Sequence, residues 1–248
     1  MKITILTIFP EMFEGFLNTS IIKKARLKNL IDIEVVDFRA YSRDNSHRVD
    51  DYPYGGGEGM VLMCQPVLDA LKEHSSQDSY VLLTSPAGRV FNQQMAHELM
   101  EKQDIVIICG HYEGYDARIY DYADQQVSIG DYVLTGGELP AMVITDTLTR
   151  LVDGVITAES LVDESFETGL LEYNQYTRPE VYDGKRVPEV LLSGHHENIR
   201  RYRLYESLKL TYLNRPDLLA SRPLTDEEVD LLEKIRWEVE EENNAQEG

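Results

Sequence analysis

Two glycine-rich stretches carry ionisable side chains and are candidates for ligand chemistry, the first of them directly after a hydrophobic run. One is Gly110–Arg118, with the sequence GHYEGYDAR, and the other is Ser128–Pro140, with the sequence SIGDYVLTGGELP. Glycine lets the backbone approach a ligand closely, so such loops can surround a small molecule with main-chain donors and acceptors. The carboxylate of Glu113 could supply charge or act as a base, or it could be a solvated loop side chain. His111 is open to the same two interpretations, as a functional group or a polar surface side chain.

Two further loops have a similar composition. Thr84–Arg89 (TSPAGR) follows a hydrophobic run, and Pro53–Met60 (PYGGGEGM) contains four glycines. The second loop is either a flexible turn or a ligand contact. Its glycine spacing differs from the dinucleotide-binding fingerprint, and it lacks the Lys-Ser/Thr ending of a P-loop.

Neither cysteines nor histidines are spaced for metal binding. Cys64 and Cys109 are isolated, and His195 and His196 are adjacent, which suggests capping or solvation at a helix start. There is no Gly-x-Ser-x-Gly elbow for a nucleophilic serine. Two cysteines are also too few for a disulfide framework, which indicates a reducing compartment. The chemistry is therefore expected from carboxylates and backbone donors.

The elements that position these loops alternate between strand and helix through about residue 155. The predicted strands are Lys2–Ile8, Ile31–Phe38, Tyr80–Thr84 and Asp104–Cys109. The predicted helices are Ser20–Lys28, Gln65–Lys72, Asn92–Lys102 and Pro140–Leu151. Strands that are apolar on both faces predict an α/β fold with a mostly parallel sheet between helices. Ligands bind at the carboxyl ends of such strands, where the loops after Tyr80–Thr84 and Asp104–Cys109 lie.

Beyond about residue 155 the strand signal disappears. Residues 158–175 are acidic and lack periodicity, which predicts a linker or a mobile loop. Apolar residues at spacings of three and four predict an amphipathic helix over His196–Leu213. The sequence Thr225-Asp226-Glu227-Glu228 is a capping box that opens a second helix. We therefore expect domains at residues 1–157 and 176–248, joined by residues 158–175, with the second domain small and helical.

The net charge of −20 over 248 residues argues at first against a nucleic-acid partner, but charge is unevenly distributed. Residues 226–248 hold ten acids and two bases. Between His195 and Arg222, and again over Lys23–Lys28, basic residues predominate. RNA binding therefore remains open. No apolar run reaches the roughly 20 residues that span a bilayer, and the N-terminal run meets Pro10 too early for a signal peptide, so we expect a cytoplasmic protein.

The chain contains several long motifs: PYGGGEGM, GHYEGYD, SIGDYVLTGGELPAM, YTRPE at Tyr176–Glu180 and LLSGHH at Leu191–His196. These motifs closely resemble those of the bacterial tRNA (guanine-N1)-methyltransferase family, and the resemblance runs from Met1 to about Leu219. The resemblance implies a deep trefoil knot in the α/β domain, a rare exception to unthreaded connections. It also implies a homodimer whose active sites are shared between subunits.

By the same resemblance, the cofactor is S-adenosylmethionine, held in the knot. The implied contacts are Leu83, Ser85, Pro86, Gly110, Tyr112, Glu113, Gly114, Ile129, Gly130, Asp131, Tyr132, Val133, Leu134, Gly136, Gly137 and Pro140. Most of these would act through backbone groups, whereas the carboxylate of Glu113 would attract the cationic end of the cofactor. Magnesium could assist the reaction, yet no ligand cluster in the sequence identifies a site.

The implied reaction methylates N1 of the guanosine just 3′ of the tRNA anticodon, position 37. The family's base is an aspartate before Ser-Phe; this chain has Glu164 there, with Asp163 as the alternative. Arg150 matches the arginine that would stabilise charge on the guanine, although a cation near a helix C-terminus is also favourable in itself. The tRNA contacts would include Arg200, Arg201 and Arg203, and the tyrosines of that helix are assigned to the core.

Two other classes of function remain to be compared. A nicotinamide-dependent oxidoreductase would use the same type of sheet, but the Gly-x-Gly-x-x-Gly after the first strand is missing. A non-catalytic RNA-binding module would bind RNA without turnover and without any dependence on S-adenosylmethionine. Cofactor titration and a methyl-transfer assay separate these alternatives.

Overall fold

The computed structural model describes residues 1–157 and 164–246. The chain divides into two compact units, Met1–Thr157 and Ala158–Gly248, each of which is described by itself. Asp163, the alternative base, lies outside the described residues.

A five-stranded sheet forms the centre of the first unit. The strands of this unit are β1 (Lys2–Thr7), β2 (Asp32–Asp37), β3 (Asp50–Asp51), β4 (Val61–Leu62), β5 (Tyr80–Val90), β6 (Asp104–Ile108) and β7 (Gln125–Ser128). The main sheet has the order β2-β1-β6-β5-β7, and each neighbouring pair is parallel. Strands β3 and β4 form a separate antiparallel pair. The predicted α/β fold with a mostly parallel sheet is confirmed.

Helices cover both faces of the main sheet. They are α1 (Glu14–Leu17), α2 (Ser20–Leu27), α3 (Cys64–His74), α4 (Gln93–Met100) and α5 (Glu138–Leu151). Alternate residues of one strand enter different cores: Ile105 and Ile107 pack on one face, and Val106 and Ile108 pack on the other. The double burial explains why these strands are apolar throughout.

The sequence prediction differs from the structure at several places in this unit, and the short elements α1, β3 and β4 were not predicted. Strand β7 was missed, because Gln125 and Gln126 begin a short edge strand with no apolar pattern. Strand β5 continues beyond Thr84: both Thr84 and Arg89 pair with Val127, so the residues between them bulge from the sheet. Helix α5 begins at Glu138 rather than at Pro140. Pro140 therefore lies in the first turn, where a proline is tolerated because the N–H groups there have no intrahelical partner.

The second unit is mainly helical. Its elements are the hairpin strands β8 (Val181–Tyr182) and β9 (Lys185–Arg186), followed by α6 (Glu189–Leu192), α7 (His196–Asn214), α8 (Pro216–Ala220) and α9 (Asp226–Gln246). The expectation of no further strand was wrong, because two exposed two-residue strands leave no periodic signal. The predicted capping box is confirmed: the Thr225 amide donates to the Glu228 carboxylate at 2.8 Å, and the Glu228 amide donates to Thr225 Oγ1 at 3.3 Å.

The core of this unit joins α7 and α9 to the segment around Leu170. Leu208 and Ile235 are fully buried, and Leu170 is 4% exposed. The backbone of Leu171 is attached to α7, since its amide donates to Thr211 Oγ1 at 2.9 Å and its carbonyl accepts from Ser207. Residues 170 and 171 are therefore packed against α7.

Candidate active site

A cleft of about 420 Å³ lies at the carboxyl ends of β5, β6 and β7. Its walls are three segments: residues 84–87, 110–115 and 127–140. Of the proposed cofactor contacts, all but Leu83 and Asp131 line it. Leu83 is fully buried within β5, and Asp131 is exposed. Residues that also line the cleft but were not selected from the sequence are Thr84, Ala87, His111, Tyr115, Tyr120, Val127, Ser128 and Thr135.

Two of the segments that line the cleft come into close backbone contact at Gly110 and Gly137. The Gly137 amide donates a hydrogen bond of 2.7 Å to the Gly110 carbonyl, and His111 and Gly136 form an isolated antiparallel bridge. A Cβ atom on Gly137 would overlap Thr84 Oγ1 and lie 2.6 Å from the Gly110 nitrogen. The glycines that the sequence analysis singled out are thus required for close approach.

Tyr115 ties the ends of β5 and β6 together beneath this contact. Its hydroxyl lies 2.9 Å from the Ile108 carbonyl oxygen and 3.1 Å from that of Thr84, so it can donate to either. Thr84 Oγ1 in turn accepts from the Gly110 amide at 3.2 Å. Burial raises the pKa of Tyr115 well above its usual value, which keeps the hydroxyl protonated as a donor. Tyr115 belongs to the motif GHYEGYD, so the sequence could have marked it as a candidate site residue, but its burial could not be read from the sequence.

A buried carboxylate lies at the first residue of α5, next to Gly137 of the cleft. Glu138 is 2% exposed, and its Oε1 accepts from Thr7 Oγ1 at 2.8 Å. A helix N-terminus is a favourable place for negative charge. Burial, with the charge of Glu138 as the second cause, raises the pKa of the Cys109 thiol well above its usual value. Cys109 is therefore an unreactive core residue.

The loop Pro53–Met60 lies against the 110–115 segment. The Glu113 amide donates to the Met60 carbonyl at 3.0 Å, and the Leu62 amide donates to the Gly114 carbonyl at 2.9 Å. A Cβ atom on Gly59, whose φ is +84°, would come within 2.5 Å of Glu113 Cγ. The glycines therefore let this loop pass beside the carboxylate at the cleft, although the loop itself does not line it.

His111 leaves a buried polar atom without a partner at this end of the sheet. Its ring lies 5.0 Å from that of Phe9 and 4.9 Å from that of Tyr112, between centroids. Nδ1 is buried and makes no hydrogen bond. Buried polar atoms are normally satisfied, so a ligand atom or water is expected here.

The two residues selected for catalysis belong to different units. Arg150 is half-buried in the last turn of α5, where its positive charge also interacts favourably with the helix dipole. Glu164 is half-buried at the start of a compact turn, in which its carbonyl accepts from the Glu167 amide at 3.2 Å. The Phe166 amide closes this turn on the Leu170 carbonyl at 2.7 Å. The next residue, Leu171, is hydrogen-bonded to Thr211 and Ser207 of α7, so the turn is attached to the helical unit.

The three arginines selected for tRNA binding differ in their surroundings. Arg200 donates to Glu197 at 2.8 Å and to Glu227 at 2.7 Å. Arg201 is exposed, and the guanidinium of Arg203 lies 4.8 Å from the centroid of the Tyr173 ring. The adjacent His195 and His196 are exposed at the start of α7, and His195 makes no side-chain cap.

No group of three or more His, Cys, Asp or Glu side chains is arranged to hold a metal ion within residues 1–157 and 164–246. In the same part of the chain, no helix has the length and apolar character needed to cross a membrane.

Comparison with known proteins finds a match over most of the chain. The model of the family described as tRNA (Guanine-1)-methyltransferase TrmD matches residues 1–221. A tRNA (guanine-N(1)-)-methyltransferase of Dictyoglomus turgidum is 51% identical over 98% of this chain and 99% of its own length. Those of Halalkalibacterium halodurans and Streptococcus gordonii are 53% and 54% identical, over 97% and 98% of this chain and the full length of each relative.

Proposed function

Because the chain belongs to the tRNA (guanine-1)-methyltransferase family, we propose that its glycine-lined cleft binds S-adenosylmethionine and that its two units together methylate N1 of guanosine 37 in tRNA. The chain is a tRNA (guanine-N1)-methyltransferase.

The cleft fits a cofactor of this class. Its size of about 420 Å³ lies within the roughly 300–1,000 Å³ of small-molecule pockets. Gly110 and Gly137 line the cleft and have no room for a Cβ atom, so their backbone groups are left open to a ligand, and His111 Nδ1 is a buried atom without a hydrogen bond. When bound, the cofactor supplies a methyl group on a positively charged sulfur. Glu113 is the carboxylate among the lining residues, which favours that positive charge.

Glu164 is proposed as the general base. Guanine N1 carries a proton at neutral pH and becomes a good nucleophile only when that proton leaves. A carboxylate within hydrogen-bond reach can accept it, an effect typically worth about 10²–10⁴ in rate. Glu164 begins the compact turn next to Leu170, since its carbonyl accepts from the Glu167 amide at 3.2 Å, and this turn holds its backbone in place.

Arg150 is proposed to stabilise the negative charge that develops on guanine O6 as the proton leaves. A guanidinium is always charged and presents several donors in one plane. The target base must leave the anticodon stack to reach a pocket of this kind, which costs a few kcal/mol. Basic side chains of α7, Arg201 and Arg203 among them, are proposed to bind the phosphates that hold the tRNA during this step.

A trefoil knot is proposed for the segment that runs from β7 into α5. The hydrogen bond from Gly137 to Gly110 and the contact of Gly88 with the Val127 backbone support it, since threaded chains must pass this closely. A knot would fix the cleft without a disulfide or a metal.

A homodimer is proposed from the apolar surface next to the cleft. Leu139 and Val143 are 49% and 45% exposed on α5, and Met12 is 44% exposed. Aliphatic residues four apart on one helix face form a stripe that burial against a second copy would cover. The family resemblance implies that each active site of this dimer is shared between the two subunits.

The single observation that carries this proposal is the family match over residues 1–221. The glycine-rich segments that line the cleft lie within the matched residues. The test is incubation of the purified protein with methyl-labelled S-adenosylmethionine and unmodified tRNA bearing guanosine 37. We expect label on N1 of that base, and none when the tRNA carries adenosine there. Label on another base, or none at all, would contradict the proposal.

A further inference from the structure

A second cleft lies at the opposite edge of the main sheet from the glycine-lined cleft. It encloses about 950 Å³ at the amino ends of β1 and β2, beside the C-terminal end of α2. Among the described residues, none lines both clefts. The sheet fixes its floor, since the Lys2 amide donates to the Gln103 carbonyl at 2.8 Å and the Asp32 amide donates to the Met1 carbonyl at 3.0 Å. The proposed function does not use this cleft.

Three cations line the cleft, against one carboxylate. Lys23 and Arg26 are three residues apart on α2 and so lie on one face of the helix, and Lys2 is the first residue of β1. Asp32 is the only carboxylate among the lining residues that the structure describes. The sequence has the same bias, because residues 15–31 hold four basic and no acidic side chains in a chain of net charge −20. Positive charge is therefore concentrated at this edge of the sheet.

The unit does not neutralise these cations. None of the ion pairs found within residues 1–157 includes Lys2, Lys23 or Arg26. Basic residues in the last turn of α2, Lys24 and Arg26, also interact favourably with the helix dipole. The dipole does not account for Lys2, which belongs to a strand. Cations without partners around one concave surface attract an anion.

Arg26 is already ordered for binding. Its Nη1 donates to the Leu17 carbonyl at 2.9 Å, and the residue is half-buried. Asn29, in the left-handed conformation at φ +55°, follows the end of the helix, and its amide donates to the Arg26 carbonyl at 3.0 Å. A side chain ordered before binding loses less entropy when the ligand arrives. The other donors of the guanidinium suit the oxygens of a phosphate.

Apolar and amide side chains complete the lining. Leu27 is 73% exposed and Leu30 is half-buried, so both offer aliphatic surface to a ligand. The side chains of Asn18, Asn29 and Gln103 add amide donors and acceptors. An inorganic anion would use only the cations. A ligand that joins phosphates to a ring and hydroxyl groups would also use the aliphatic surface and the amides.

We propose that this cleft binds a nucleoside di- or triphosphate, with the phosphates on Lys2, Lys23 and Arg26 and the nucleoside against Leu27. Adjacent phosphates hold several negative charges close together, which matches three cations around one cavity. The carboxylates of an acidic peptide lie on separate residues, about 3.8 Å or more apart along the chain, so fewer of them would reach the cleft. The volume of about 950 Å³ lies within the roughly 300–1,000 Å³ of small-molecule pockets.

The test compares Lys23→Gln with Lys24→Gln in the full-length protein. Lys24 is the next residue on α2 and is exposed, but it does not line the cleft, so its substitution removes the same charge from the same helix. Calorimetry measures the dissociation constant for ATP, and circular dichroism checks the fold. We expect Lys23→Gln to weaken ATP binding about tenfold, as for one lost charged hydrogen bond, and Lys24→Gln to change it less than about twofold. Equal ATP affinity of the two variants would overturn the site.

Two measurements locate the bound nucleotide. Saturating S-adenosylmethionine should leave the ATP affinity unchanged, because the two clefts lie at opposite edges of the sheet. Photo-crosslinking with 8-azido-ATP should label peptides within residues 15–33. Displacement of ATP by S-adenosylmethionine, or label confined to residues 84–140, would place the nucleotide in the glycine-lined cleft and overturn the proposal.

Inorganic tripolyphosphate separates the phosphate contacts from the nucleoside contacts. It should bind about tenfold more weakly than ATP, because it lacks the ring that packs on Leu27. Leu27→Ser should weaken ATP binding and leave tripolyphosphate binding unchanged. Equal affinity of the wild-type protein for ATP and tripolyphosphate would overturn the assignment to a nucleotide.

Unmodified tRNA distinguishes a free nucleotide from an RNA surface. We expect Lys23→Gln to bind tRNA as the wild-type protein does. If Lys23→Gln weakens tRNA binding and leaves ATP binding unchanged, the cleft is an RNA surface and the proposal fails. The ATP measurements involve no methyl transfer, so a wild-type protein that labels no guanosine 37 would contradict the proposed function and leave the nucleotide site standing.

Discussion

The amide nitrogen of Gly137 lies 2.7 Å from the carbonyl oxygen of Gly110, which joins the start of α5 to the end of β6. The two residues are distant in sequence, and the bond between them joins two of the segments that line the cleft. A Cβ atom on Gly137 would lie 2.6 Å from the Gly110 nitrogen, and one on Gly110 would lie 2.8 Å from the Tyr115 hydroxyl oxygen, so the cleft depends on glycine at both positions.

Substitution of Gly137 by alanine should therefore damage folding and cofactor binding together. The added Cβ would lie 2.6 Å from the Gly110 nitrogen and overlap Thr84 Oγ1, and the backbone atom cannot move aside cheaply. We expect a loss of stability of about 1–3 kcal/mol, measured as a lower thermal midpoint, and weaker S-adenosylmethionine binding by calorimetry. Gly15→Ala is the control, because a Cβ there meets nothing within 4 Å. An unchanged cofactor affinity in Gly137→Ala would contradict this account of the cleft.

Substitution of Glu164 by glutamine should abolish turnover and spare cofactor binding. The amide keeps the size of the side chain but cannot accept the N1 proton, so kcat should fall by about 10²–10⁴. Single-turnover labelling measures the loss, and equilibrium dialysis with S-adenosylmethionine checks the cofactor site. Asp163→Asn is the comparison variant. If Asp163→Asn loses the activity and Glu164→Gln retains it, the roles of the two carboxylates are exchanged.

Removal of the Tyr115 hydroxyl tests the link between β5 and β6. In Tyr115→Phe the carbonyl groups of Ile108 and Thr84 lose a donor in a buried place, which should cost about 1–3 kcal/mol. The free energy of unfolding in urea reports the loss, and cofactor affinity should fall because the 110–115 loop is less constrained. Tyr122→Phe is matched, since Tyr122 is 57% exposed. Equal stability of the two variants would show that the buried hydroxyl contributes nothing.

The apolar stripe on α5 makes a prediction about assembly. Val143→Glu places a charge in the middle of the proposed dimer contact, so sedimentation should show a monomer where the wild-type protein shows a dimer. Leu27→Glu is the control, because Leu27 is 73% exposed on α2. If both subunits complete each site, mixing Val143→Glu with wild-type protein should not restore its activity. A wild-type monomer that methylates tRNA would refute the shared site.

The sequence predicted the features of this fold that depend on local pattern. The buried strands, the helices between them and the capping box at Thr225 follow from apolar spacing and capping chemistry. The loops after β5 and β6 were expected at one edge of the sheet, because the carboxyl ends of parallel strands share that edge, and both line one cleft there. Strand β7 and the bulge after Thr84 were not predicted, since they depend on pairing between distant segments. Neither the burial of Tyr115 nor the unpaired Nε donor of Arg203 leaves any signal in the order of residues.

The capping box at the start of α9 predicts how stability depends on pH. Burial alone would raise the pKa of Glu228, but hydrogen bonds from the Thr225 amide and from Arg222 outweigh it, so the folded pKa is lowered. A carboxyl group with a lowered folded pKa stabilises the protein above its unfolded pKa of about 4.3, and this contribution is lost as pH falls through the folded value. Glu228→Gln should therefore destabilise the protein at pH 7, and the difference from wild type should shrink as the pH falls below about 4.

Thermal midpoints of both proteins between pH 3 and pH 7 measure this effect. Glu240→Gln is the control, because Glu240 is exposed on the same helix and makes no cap. Its midpoint should follow that of the wild-type protein across the range. A constant difference between Glu228→Gln and wild type at every pH would mean that packing, rather than the charge held by Thr225 and Arg222, accounts for the stability at this end of α9.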